Sequence, residues 1–340
     1  MTTIMHLTHH WISERIMASG RHAMNLLDIY KELNTEEKCL SFLEHMRWPE
    51  GVKCLSCNSG RISHLTSTGR RNRKTGKVGP DRHLLQCNEC RFQFTATTGT
   101  VYHDTHLPLS KWFLAIALIT ESKKGISANQ LSRALGVQYR TAWYLAHRIR
   151  KAMTDASTPK LRGIVEIDET YIGGKQRGHR SKLKSKDVVI GVRERGGDLR
   201  LVQTPDNKAD TVYQVIADNV AKDAKGIMTD ESPIYNFKLT QFKDVRHDRI
   251  RHKEKIYVRG DVHTNTVESA FSLFKRGLNG AFHKVSLKHL QRYLNEFQFR
   301  FNNRKAADLF GMTVRRMAMA GAMPYAQLIE DNAFTEFVRR

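Results

Sequence analysis

The sequence predicts a multidomain α+β protein: a small metal-stapled module, a helical segment, and a larger α/β domain. Three observations predict it. Two C-x-x-C pairs, Cys54/Cys57 and Cys87/Cys90, lie in the first third of the chain. Helical periodicity fills the stretch after them. From Gly163 onward the pattern changes, and short apolar runs of strand length alternate with helical ones. A chain of 340 residues has room for two or three domains with a sizeable core.

Residues 1–25 are polar, His-rich and weakly patterned, and read as an extension. Residues 26–106 read as helix plus metal module. Met24 to Trp48 has a helical pattern, and "NTEE" (Asn34 to Glu37) reads as a capping box. Each C-x-x-C forms a knuckle that points two thiolates at one ion, so Cys54, Cys57, Cys87 and Cys90 supply the four ligands of a structural Zn²⁺ in a zinc ribbon. His64 and His83 lie in the same interval but lack knuckle spacing. The fifth cysteine, Cys39, sits on an apolar helical face and reads as core. Five cysteines make a poor disulfide framework for this size. Between the pairs, "GRRNRKTGKVGPDRH" is a basic, Gly-containing hairpin tip suited to phosphate.

Residues 107–156 read as a helix followed by a helix-turn-helix. Gly136 separates two helical patterns; Leu131 and Leu135 line the first. Ala142, Leu145, Ala146 and Ile149 line the second at i, i+3, i+4 and i+7. Gln138, Tyr139, Arg140 and Thr141 then fall at the start of a recognition helix and are candidate DNA-contacting residues. An ordinary helical hairpin has the same pattern. "TDASTPKLRG" (Thr154 to Gly163) reads as a linker.

In residues 160–310 the expected order is three strands, a helix, a fourth strand ("KGIMTD"), a fifth ("KIYVRG"), then helices. That is the order of an RNase H-like domain. "KQRGHRSKLKSK" between the first two strands reads as an exposed basic loop. Asp168 ends the first strand and Asp230 the fourth, so the two carboxylates converge. They repel each other unless a cation lies between them. Hard carboxylate ligands without thiols suit Mg²⁺ or Mn²⁺, and a pair of such ions activates a water or a 3′-hydroxyl in phosphoryl transfer. Each aspartate alone could also serve as a turn cap. In "HTNTVESAFSLFKR" Asn265 and Glu268 share a helix face, with Lys275 seven residues past Glu268 in reach of phosphate. Asn265 could be a neutral ligand, or an N-cap with Glu268 closing a capping box. His263 could be a ligand or a general acid. Residues 311–340 read as a tail.

Lys and Arg number 56 against 34 Asp and Glu, a formal charge of +22 spread along the chain. That is the footprint of a nucleic-acid binder. The longest apolar run, Trp112 to Ile119, is too short for a bilayer, and no signal peptide is visible, which predicts a cytoplasmic, nucleoid-associated protein.

Taken together, "DETYIGGK", "TDES", "VHTNTVESAFSLFKR" and "YLNEFQFRFNNR" resemble a bacterial insertion-sequence transposase of the DDE type. "CNECRFQFTATTGTVYHDTHLPLSKWF" matches the zinc-ribbon exit of the IS fifteen-ninety-five branch. The resemblance covers roughly residues 30–310. It implies cleavage and joining of double-stranded DNA at terminal inverted repeats and at target DNA, divalent metal, and action as a homo-oligomer, a dimer. It carries the first acid onto Asp168 and the second onto Asp230. The third position, often Asn in this branch, falls on Asn265, with Glu268 as the alternate; Lys275 and Arg276 follow on the DNA side. The branch usually has Pro and Gly in its first knuckle where this chain has Leu55 and Asn58, which predicts a looser turn there. A zinc-ribbon and helix-turn-helix regulator, a nuclease that cuts without joining, and an inactive transposase copy are the rival readings. The acidic cluster argues against a regulator, and the N-terminal module against a plain nuclease.

Overall fold

The computed structural model describes residues 24–330 apart from 68–75, 77–81, 155–157, 174–186, 236–241, 243, 252–257, 259 and 284. The expected N-terminal extension, the basic hairpin tip and the basic loop expected between the first two strands of the α/β domain lie almost wholly outside the described residues. The chain forms two compact units, one of residues up to 118 together with 307–323, the other of 119–306 with residues from 324 onward.

In the first unit the Met24–Trp48 pattern is two helices, α1 (Leu26–Glu32) and α2 (Glu36–Arg47). The expected capping box at Asn34 is not formed. Thr35, in extended backbone, is the N-cap of α2, and its hydroxyl accepts from Lys38 N at 3.3 Å. Leu33 closes α1, so Asn34 belongs to the link, and its side chain accepts from Lys38 Nζ. A capping box does form at Asn25 and Asp28, ahead of α1. Strands β1 (Ile62–Ser67), β2 (Arg82–Cys87) and β3 (Gln93–Phe94) make an antiparallel sheet in that order. Helix α3 (Leu109–Glu121) follows.

The segment read as a tail begins with a helix, α9 (Leu309–Met319) in the numbering used here. Its Phe310 stacks on Phe42 of α2 at 6.0 Å and meets Phe113 of α3 edge-on. Those rings are nearly fully buried. Burying one such ring gives roughly 1.5–3 kcal/mol, enough to hold an 11-residue amphipathic helix in place that would be marginal alone.

The second unit opens with α4 (Ala128–Leu135) and α5 (Tyr139–Ala152). Gly136 ends α4 in the left-handed region, φ 60°, where glycine has no Cβ penalty. The expected apolar stripes are buried: Leu131 and Leu135 on α4, Ala142, Leu145, Ala146 and Ile149 on α5.

Five strands follow: β4 (Ile164–Ile172), β5 (Asp187–Glu194), β6 (Leu199–Thr204), β7 (Gly226–Asp230) and β8 (His247–Ile250). They are ordered β6-β5-β4-β7-β8, antiparallel through β6, β5 and β4, parallel from β4 through β8. The fifth strand is thus His247–Ile250, upstream of "KIYVRG", most of which lies outside the described residues. Helix α6 (Ala209–Asn219) covers one face, where Val165 and Ile167 meet Val212 and Ile216. Helices α7 (Asn265–Gly277) and α8 (Leu290–Asn302) cover the other, where Val189, Leu199 and Leu201 meet Val267, Phe271 and Leu294. A final short helix, α10, spans Tyr325–Glu330. Among the described residues no helix is long and apolar enough to cross a membrane.

Candidate active site

Strand period 2 decides which way each acid points. Val165 and Ile167 pack toward α6, so Glu166, Asp168 and Thr170 project to the α7 face. Asp168 does not end its strand, since β4 runs on to Ile172 because β5 keeps pairing with it that far. It lies instead just past the stretch of β4 that pairs with β7, from Ile164↔Gly226 to Glu166↔Met228. The same parallel offset, carried two residues on, sets Asp168 beside Asp230 at the end of β7.

Asp168 is the most perturbed carboxyl of the group. Burial first, then Glu169, then Asp230 and Glu268, push it up to about 7, against the Glu169 N–H that donates to its Oδ1 at 2.9 Å. Four carboxylates therefore share one neighbourhood. Glu169 is also raised, chiefly by burial, while Tyr235 donates its hydroxyl to Oε2 at 2.8 Å. Asp230 Oδ1 accepts from Ser232 N at 2.9 Å, so it caps a turn as well as facing the cluster. Clustered carboxylates, of which Asp168 and Glu169 are pushed up, form the donor set a hard divalent cation requires.

A cleft of about 470 Å³ opens here, bordered by Asp168, Glu169, Glu268, Ser272, Lys275 and Arg276. Helix α7 brings Glu268, Lys275 and Arg276 to it along one side. Glu268 Oε1 accepts from the Thr264 hydroxyl at 2.8 Å. Asn265 is the exposed first residue of α7 and does not line the cleft; Thr264, not Asn265, is the N-cap. The Asn265–Glu268 capping box is therefore not formed.

One residue escaped sequence reading. Glu166 is fully buried and accepts from Thr266 N at 2.8 Å and Val267 N at 3.1 Å, at the start of α7. The signal was its place in "VEIDE", where it shares a face with Asp168. His263, one candidate ligand, has Nδ1 3.0 Å from Glu166 Oε1 and so belongs to this buried group.

In the first unit the Sγ atoms of Cys54, Cys57, Cys87 and Cys90 all lie within 4.8 Å of one another. Cys54 to Cys90 and Cys57 to Cys87 are each 3.5 Å. A tetrahedron with Zn–S bonds of about 2.3 Å has S···S edges of roughly 3.8 Å, so the four fit structural zinc. The first knuckle is not looser than the second. Asn58 and Arg91 both take positive φ (60° and 62°), and each N–H reaches its knuckle's first cysteine carbonyl at 3.0 Å. Asn tolerates that conformation better than most residues, which replaces the usual glycine. Cys39 is core, its thiol donating to Leu33 O at 3.3 Å.

Gln138, Tyr139, Arg140 and Thr141 are all exposed at the start of α5.

A zinc ribbon preceding an α/β domain with clustered carboxylates defines a class, and comparison with known proteins agrees with it. Residues 34–93 match the transposase zinc-ribbon domain, and residues 160–302 the ISXO2-like transposase domain. The chain carries the zinc ribbon and the transposase domain of the IS fifteen-ninety-five group. It is also 28% identical over 288 residues to an uncharacterized protein in transposable element ISH50 of Halobacterium salinarum, covering 79% of this chain and 92% of that protein. Such domains imply DNA binding.

Proposed function

We propose that this transposase cuts and joins DNA at its element's terminal inverted repeats, using an RNase H-like site built on Asp168, Asp230 and Glu268. The observation that carries the reading is the convergence of carboxylates on Asp168, whose burial and like-charge neighbours push it up to about 7. In a chain of charge +22 such a cluster is out of place unless a divalent cation offsets it. The strand order, with an antiparallel trio followed by parallel strands, supports the RNase H-like assignment.

Asp168, Asp230 and Glu268 would hold Mg²⁺ or Mn²⁺. When bound, the metal supplies activation of a water or 3′-hydroxyl and stabilises the leaving oxygen. We put Glu268 ahead of Asn265, because it borders the cleft and its charge acts on Asp168; Asp230, like Asn265, does not border the cleft, and it is kept because its charge also acts on Asp168. Lys275 and Arg276 border the same cleft and bind phosphate oxygens, orienting the scissile strand. The α4–α5 pair acts as a helix-turn-helix, with Gln138 to Thr141 toward DNA, and the ribbon adds a second contact. The enzyme acts as a dimer on paired ends.

The test is strand cleavage of end-labelled duplexes carrying the DNA that flanks the gene, in Mg²⁺. Nicking at the element boundary by the wild type and none by Asp230→Ala is expected. Tight end binding with no nicking in Mg²⁺ or Mn²⁺ would make the protein a regulator or a dead copy.

A further inference from the structure

Helix α7 starts without a cap of its own. Thr264, its N-cap, makes no side-chain bond to the first-turn N–H groups, and its hydroxyl turns to Glu268 instead. Those N–H groups would be orphaned against the sheet. A strand residue serves them. Glu166 Oε2 accepts from Thr266 N (2.8 Å), Thr266 Oγ1 (2.7 Å) and Val267 N (3.1 Å). Its Oε1 accepts from Arg195 Nε at 2.6 Å, and Arg195 in turn donates to the carbonyls of Asp261 (2.6 Å) and His263 (3.0 Å). The segment leading into α7 is thereby tied to β4 at a residue two before Asp168, on the same face. A carboxylate at the positive end of the helix dipole adds to the hold.

A second, independent feature acts at the other side of Asp168. Gly191 of β5 stands directly across from it in the sheet. A Cβ at Gly191 would come within 2.6 Å of Phe271 Cζ and 2.8 Å of Val267 Cγ2. Helix α7 therefore rests on bare backbone, closer than any side chain would allow. A buried ion pair is weak evidence for stability in itself, since apolar groups often do as well. Glu166 and Gly191 share something else: both fix where α7 lies relative to Asp168.

We propose that Glu166 and Gly191 are positioning residues that set the separation between Asp168 on the strand and Glu268 on the helix, and so set metal affinity. The proposal rests on the reading of those carboxylates as the metal site. Its test titrates the full-length protein with Mn²⁺ by calorimetry, without DNA, alongside Mg²⁺-dependent nicking, end binding and thermal melting. In Glu166→Gln and in Gly191→Ala, Mn²⁺ affinity at the carboxylate site falls roughly tenfold and nicking by about a hundredfold. End affinity measured without divalent cation stays at the wild-type value. Adding Phe271→Leu to Gly191→Ala removes the ring atoms nearest the new methyl and recovers part of the Mn²⁺ affinity. A merely structural role predicts the reverse, because Phe271→Leu alone loses core packing. That rescue keeps the test decisive even where Glu166→Gln fails to fold. Wild-type Mn²⁺ affinity and nicking in Gly191→Ala, or a loss that Phe271→Leu deepens, overturns the proposal. A wild type that neither binds Mn²⁺ nor nicks sinks the metal-site reading and this proposal with it.

Discussion

Asp168 sits in a conflict that a metal-free protein relieves by holding a proton. Its burial and the nearby Glu169, Asp230 and Glu268 favour the neutral carboxyl and push it up to about 7. The unfolded chain holds it near its ordinary value of about 4. Between those values the folded form binds the extra proton, so stability falls as pH rises through the window. Asp168→Asn should therefore stabilise the protein without added divalent cation by ~1–3 kcal/mol at pH 8 and hardly at pH 4. Melting temperatures at the two pH values check it, and an equal effect at both would remove the like-charge account. The same variant should lose strand cleavage while keeping end binding. At this scale the sequence was informative where chemistry and strand order coincide. Strand order paired Asp168 with Asp230, although Asp168 lies inside β4 and not at its end; the period-2 alternation of "VEIDE", which sets Glu166 and Asp168 on one face, was the signal left unread. Sequence reading put Asn265 ahead of Glu268 without separating them by geometry, because three residues along a helix leave both on one side; in the fold Asn265 opens α7 and Glu268 borders the cleft.

Elements were legible where a local rule was strong and uncontested. The C-x-x-C knuckles, the α4–Gly136–α5 link and the order of the first four strands all carry such rules, and all are present. Boundaries failed where tertiary contacts decide. Thr35 displaced Asn34 as cap, and β8 formed at His247–Ile250 because β7 offers it a parallel edge. Helix α9 was invisible in a segment read as tail, since its partners Phe42 and Phe113 lie some two hundred or more residues earlier. The ribbon gives the element-scale prediction. Its strands are short and its core is small, with Cys54, Leu85, Cys87 and Phe94 the buried members. Zinc must supply much of its folding energy. Cys87→Ser should lower the zinc content of the purified protein to a small fraction and unfold the ribbon, read by metal analysis and by proteolysis within residues 50–95. Full zinc content in that variant would refute the ligand set.

At the scale of the whole molecule, the charge of +22 and the acidic cleft oppose each other over the same ligand. On the proposed reading the basic surface draws phosphate in, Lys275 and Arg276 bind it at the cleft, and the carboxylates there oppose it until a cation is bound. Two salt-dependent signatures separate these terms. End binding should weaken steeply with monovalent salt, by about 10³–10⁵ between 50 and 200 mM if six to ten phosphates are contacted. A change at a phosphate-binding cation, such as Lys275→Ala, should lower the slope of log K against log salt by about one. Arg140→Ala, at the start of α5, should instead cost ~1–3 kcal/mol on the cognate end and little on unrelated DNA, if it reads a base. The cleft adds the opposite effect. At fixed ionic strength, Mg²⁺ should tighten wild-type end binding by offsetting the carboxylates, and the double variant Asp168→Asn/Asp230→Asn should bind tightly without Mg²⁺ and gain nothing from it. Fluorescence anisotropy on a labelled cognate end and an unrelated duplex, over a salt series and with and without Mg²⁺, measures all of this. If the double variant keeps the wild-type response to Mg²⁺, the cation acts elsewhere and the cleft is not where metal meets phosphate.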